Sequence, residues 1–169
     1  MQNRLIITSL RFGLYGGLAI ILYFLILYFY EYDPLDKKIF FLKYIVLVFC
    51  ILAGIKIYRD KWNNNTLHLW EGLLCGLMIN LTIALFSAIF VYLFLSFIDG
   101  EVLGRHIDEI VQWAESNKHL KPGTMSEDSF KELISKTKGT TIFDIALDDF
   151  EMYFVGIFFI FITAVLLRK

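Results

Sequence analysis

Apolar residues run through this chain in four long blocks, and only one of the polar stretches between them is sizeable. Phe12–Tyr30 carries no charge over 19 positions, close to the roughly 20 residues that a helix needs to cross a hydrocarbon core. Ile39–Ile57 is interrupted only by Lys43 and Lys56. Each lies near an end, where a lysine stem can run along apolar surface and lift its ammonium to the headgroups. Gly72–Ile98 is uncharged for 27 residues. That is about 40 Å of helix, so this run is predicted to tilt or protrude. Met152–Leu167 is 16 residues long, about 24 Å, and spans if Phe143–Glu151 continues the helix. The pattern predicts spans at about 12–30, 39–57, 72–98 and 143–167, within one membrane domain covering residues 1–169.

The sizeable polar stretch, Asp99–Glu151, separates the third block from the fourth. Within it, Val102, Leu103, Ile107, Ile110, Val111 and Ala114 recur at helical spacing, which predicts an amphipathic helix over Glu101–Leu120. Lys121–Thr124 breaks it. A second helix is predicted from Ser126 as N-cap, with acids in its first turn, to Gly139. No stretch alternates in the manner of a strand. The expected fold is therefore all-α: an integral membrane four-helix bundle with a small helical extracytoplasmic segment at 99–142, between helices 3 and 4.

Composition agrees with a bilayer, since 57% of residues are hydrophobic and 17% aromatic, with a mean hydropathy of +0.62. Soluble domains average about 45–50% apolar residues. Net charge is only −1, but the charges are segregated. With four spans, the N-terminus, the second loop and the C-terminus share one side. There, Arg4, Arg11, Lys56, Arg59, Lys61, Arg168 and Lys169 face only Asp60 and Glu71. The other side holds the nine remaining basic residues against fifteen acidic ones. The positive-inside rule then predicts cytoplasmic termini in an inner (cytoplasmic) membrane, with Lys56, Arg59, Lys61, Trp62 and Trp70 as a topology anchor. The first block is expected to be retained, because no small-residue cleavage site follows it. Cys50 and Cys75 both fall in apolar blocks and read as small packing residues.

Several stretches resemble the bacterial inner-membrane family catalogued as domain of unknown function 4199 (DUF4199). They are "AGIKIYRDK" (Ala53–Lys61), a glycine-bearing third span after a short polar loop, "MSEDSFKELI" in the polar segment, and the basic tail "LLRK". The resemblance covers essentially the whole chain and implies four transmembrane helices. It supplies no catalytic residue.

The candidate ion or partner face is acidic. Asp144, Asp148 and Glu151 follow i, i+4, i+7 spacing at the start of the last span, with Asp149 beside them. Turned into the bundle, these carboxylates would bind a cation or relay protons; turned out, they would simply meet water. Helix packing is assigned to Gly13 and Gly17 in the first span and to Gly72, Gly76 and Asn80 in the third, because small residues let helices approach closely. His106 with Asp108 and Glu109 lacks a further ligand at fixed spacing and reads as solvated surface.

No catalytic fingerprint or basic stripe for nucleic acid is present in the sequence. The expectation is a protein with no catalytic, cofactor or metal residues. It would act as a non-enzymatic accessory or assembly component of a membrane complex, its partners being the lipid bilayer and a second copy or another membrane protein. The alternative is a small oligomeric transporter or ion-conducting protein using the acidic face. A lipid-modifying enzyme acting through the same carboxylates is a third reading.

Overall fold

The computed structural model describes residues 2–36, 41–116 and 127–168. Among them every regular element is a helix: α1 Gln2–Phe29, α2 Leu42–Trp62, α3 Leu69–Phe97, α4 Glu101–Ser116, α5 Glu127–Lys138, α6 Ile142–Phe150 and α7 Met152–Leu167. Glu151 between the last two has helical angles, φ −54° and ψ −26°. The pair therefore forms one apolar run, Ile142–Leu167. Three runs are long and apolar enough to cross a membrane: Asn3–Phe29, Leu69–Phe97 and Ile142–Leu167. The expected second span, α2, is 21 residues long but carries Lys43, Lys56, Arg59, Asp60 and Lys61.

α1 begins about ten residues earlier than the uncharged block suggests. Arg4 and Arg11 do not stop it, because both lie on its exposed side. Arg4 also stacks its guanidinium 4.6 Å from the centre of the Trp62 ring, a cation–π contact. The predicted N-cap Ser126 and the break at 121–124 lie outside the described residues. Gly139 does close α5, its N–H donating to Ser135 O at 3.0 Å.

Glycine notches set the packing. A methyl added to Gly13 would meet Thr82, one on Gly17 would meet Phe86, and one on Gly16 would meet Ile83 and Cys50. Gly54 faces Ile79 and Phe12, Gly72 faces Ala164, and Gly76 faces Ile160. Helix association inside lipid draws little on hydrophobic transfer, so close approach over small residues supplies van der Waals contact instead. The register of these pairs makes α1 and α3 parallel neighbours, with α2 and α7 antiparallel to both. Leu47, Ile51, Ile55, Cys75, Ile79 and Ile83 are fully buried between them. α2 thus runs the length of the bundle, from Lys43 at one end to Tyr58 beside Glu71 at the other.

The α2–α3 turn is built by the three asparagines. Asn64 and Asn65 adopt left-handed angles, φ 49° and 60°, which asparagine tolerates better than most residues. Asn63 Nδ2 donates to Glu71 Oε2 at 2.7 Å, and the His68 N–H donates to the same oxygen at 3.2 Å. Tyr58 Oη donates to Glu71 Oε1 at 3.4 Å. Glu71 therefore holds the start of α3 and the end of α2 together. Glu71→Ala is expected to lower stability by about 0.5–2 kcal/mol, the range for losing a helix cap. Denaturant titration in detergent micelles checks this, and an unchanged midpoint would show that the turn holds without the carboxylate.

Candidate functional site

Polar groups gather at the opposite end of the bundle, where α1 and α3 finish and α2 and α6 begin. α1 ends in a 6→1 and 5→2 pair of hydrogen bonds, Tyr32 N–H to Leu27 O and Glu31 N–H to Tyr28 O. This cap needs a left-handed residue, usually glycine. Glu31 fills it at φ 60°. The chain then turns at Asp33, whose Oδ1 accepts from the Leu35 N–H at 2.9 Å. Its other oxygen, Oδ2, bonds His106 Nδ1 of α4.

Asp99 has the same division of labour after α3. Its Oδ1 accepts from the Glu101 N–H at 3.0 Å and starts α4. Its Oδ2 accepts from Tyr28 Oη at 2.9 Å and lies 3.4 Å from Arg105 Nη2. Each aspartate thus turns the chain with one oxygen and fastens α4 with the other. α4 buries Val102, Val111 and Ala114 and leaves Trp113 62% exposed. A mouth of about 450 Å³ opens here, lined by Tyr28, Tyr32, Asp33, Asp99 and Arg105 among others.

Deeper at this end, Lys43 Nζ of α2 donates to Asp149 Oδ1 of α6 at 2.8 Å. The two side chains are only 7% and 5% exposed. The expectation that Lys43 lifts its ammonium to the headgroups is corrected here. Lys43 lies on the α2 face that buries Leu47, Cys50, Ile51 and Ile55, so its stem points inward and its charge is met within the protein. Asp149 Oδ2 is buried and has no hydrogen-bond partner among the described residues. Beside the pair is a cavity of about 50 Å³, lined by Lys43, His106, Asp148 and Asp149 with Leu35, Val91 and Ile145. An ion pair taken out of water is held only if geometry and further hydrogen bonds offset lost hydration, so the unpartnered oxygen is the feature to explain.

The stripe singled out by spacing divides. Asp144 is exposed, and its carboxylate accepts from the Thr141 N–H at 2.8 Å and Thr141 Oγ1 at 2.7 Å. Meanwhile Thr141 Oγ1 accepts from the Asp144 N–H. This reciprocal box starts α6. Glu151 is exposed. Asp148 is exposed but borders the small cavity. The inward carboxylate is the neighbour, Asp149. A signal for it was present: Ala146, Asp149, Met152 and Gly156 form the buried line of α6 and α7.

The other residues singled out are placed as follows. Asn80 is fully buried. Its Nδ2 donates to Tyr153 O at 2.7 Å, while its Oδ1 has no partner among the described residues. It fills the notch at Gly156, where an added methyl would strike its amide. Lys56, Lys61, Trp62 and Trp70 are exposed around the far end of the bundle, and Arg59, half-buried, pairs with Asp60 at 2.7 Å. His106 turns to Asp33 while Asp108 and Glu109 face out. Among the described residues no three His, Cys, Asp or Glu side chains cluster as metal ligands. Cys50 and Cys75 are buried as free thiols, and Ser9 Oγ donates to Cys75 Sγ at 3.3 Å.

Comparison with curated proteins and with solved structures finds no match. The family model described as a protein of unknown function, DUF4199, matches residues 11–169, nearly the whole of these helices, and the chain belongs to that family.

Proposed function

We propose that this chain is a four-span protein of the inner membrane that works without catalysis, as an accessory or assembly component of a membrane complex. Its two tails and the Arg59–Glu71 loop lie in the cytoplasm, and α4 and α5 form the contact surface on the far side. α2 is the fourth span in this reading. It runs alongside α1, α3 and α7 from end to end, about 32 Å at 21 residues, and its added charges sit at its two ends. Lys56, Arg59 and Lys61 mark one end with Trp62 and Trp70, an interfacial arrangement of cations and indoles.

The observation that carries the contact role is α4. Its apolar side is already occupied, α5 packs on it, and Trp113 and Ile110 still project outward. Exposed aromatic side chains on an ordered helix are the kind of group that anchors protein interfaces. A conducting oligomer is less well supported, because the interior of one chain is filled and ions would have to pass between copies.

The test has two arms. Single cysteines at Asn64 and Glu115, treated with a membrane-impermeant maleimide in intact cells, should label only at Glu115→Cys. Labelling of Asn64→Cys alone would invert the orientation. A photo-crosslinking amino acid in place of Trp113 should give one discrete adduct that the same probe at Leu85 does not. No adduct at Trp113 would remove the contact role.

A further inference from the structure

We propose that the cavity at Asp149 is a proton-binding site, reached from the α4 end through Asp33 and His106 and closed toward the bundle interior. Asp149 is 95% buried, the complement of its 5% exposure. Its Oδ2 has no partner among the described residues, so one acceptor stands ready beside a space of about 50 Å³. That space takes a single water, whose share of liquid volume is about 30 Å³. A water there has the polar partners it needs in Asp149, Asp148 and His106.

The route to that space is continuous in hydrogen-bonding groups. Asp33 lines the wide mouth, His106 lines the small cavity, and the two are bonded to each other through Nδ1. His106 also borders the cavity, and its second ring nitrogen is not the one bonded to Asp33. A proton taken from a hydronium at the mouth passes to the Asp33–His106 pair. The imidazole releases one from its other nitrogen to the cavity water, and that water transfers one to Asp149 Oδ2. Only N–H and O–H bonds exchange, and one positive charge moves from mouth to carboxylate. Beyond Asp149 the way is filled by Leu47, Ile51 and Ile83, all fully buried. A proton therefore enters and leaves by the same end, so the site senses protons and does not conduct them.

The charged groups around Asp149 decide what it senses. Among the described residues, Lys43 comes from α2, Asp148 from α6 itself, His106 from α4 with Asp33 behind it, and α3 contributes apolar Val91. Among the described residues, Asp148 and Asp33 add two carboxylates near the Lys43 ammonium, a balance that favours a cation in the cavity. Lys43 already occupies one face of Asp149, and among the described residues no trio of metal ligands surrounds it, so the cation proposed here is a proton. Protonation neutralises Asp149, removes its attraction for Lys43 and loosens α6 from α2.

This inference rests on the packing of the helices and not on which compartment the α4 end faces. Infrared difference spectra of the protein in micelles, where both ends meet water, test it apart from topology. As pH falls, the carbonyl band of a protonated carboxyl in dry surroundings should appear, and D149N should lose it while E151Q keeps it. Lys43→Met, which removes the ammonium that donates to Asp149 Oδ1, should keep the band but shift its frequency, because that carboxyl loses a hydrogen bond. A band that survives in D149N, or one with unmoved frequency in Lys43→Met, overturns the site even if one variant folds poorly. In proteoliposomes, a potassium diffusion potential should drive no more proton uptake than in empty vesicles. Uptake above that level overturns the closed inner end.

Discussion

Replacing Asp149 with alanine is expected to destabilise the folded bundle by about 3–5 kcal/mol, the range for removing one partner of a buried ion pair. The loss is large because the Lys43 ammonium, 7% exposed, would remain in place without the carboxylate 2.8 Å away. It cannot reach water without dragging the buried face of α2 with it. Joint replacement, Lys43→Met with Asp149→Leu, should recover most of the loss, since the pair's attraction and its dehydration nearly cancel. Glu151→Ala, at an exposed position on the same run, should stay within about 0.5 kcal/mol of the parent. Unfolding in mixed detergent micelles, followed by circular dichroism, measures all three. If Asp149→Ala unfolds where Glu151→Ala does, the pair does not fasten α6 to α2.

Gly156→Ala should cost about 1–3 kcal/mol, the usual penalty for overfilling a packed site. The new methyl would strike the amide of Asn80. That amide has nowhere to go, because Asn80 is fully buried and its Nδ2 holds Tyr153 O on the same helix. Asn80→Ala alone should lose about 0.6–1.7 kcal/mol, as interhelical hydrogen bonds in membrane proteins do. The two changes together should cost less than their sum, because the shortened side chain makes room for the methyl. Additive losses in the same unfolding assay would show that the two positions do not press on each other.

Much of this architecture is legible in the sequence. Length and apolarity alone locate the long helices, since a block without charges of that size has few other uses. Of the six residues that periodicity picks out in α4, Val102, Val111 and Ala114 are buried, Leu103 and Ile107 are partly so, and Ile110 is exposed. The start of α1 was less legible, because an arginine on an exposed helix face ends nothing. The site was harder still. Spacing favoured Asp144, Asp148 and Glu151 because like residues four apart attract notice, yet Asp144 is engaged in starting α6 and Glu151 faces out. Lys43 and Asp149 are 106 positions apart, and no local rule pairs them. What each shares is a place on its helix's buried line, Lys43 four before Leu47 and Asp149 three before Met152. A charge on such a line is the readable sign of a partner elsewhere.

The parallel pairing of α1 with α3 bears on how the protein is made. α1 leaves the ribosome before α2, which folds back beside it, but the notches at Gly13 and Gly17 are filled by Thr82 and Phe86, which have yet to be synthesised. The first hairpin is therefore born with its tightest surface bare. On the four-span reading it must wait in the insertion machinery, or in lipid, until α3 arrives. Nascent chains arrested just after α2 should be the stage at which quality-control proteases find this protein most easily.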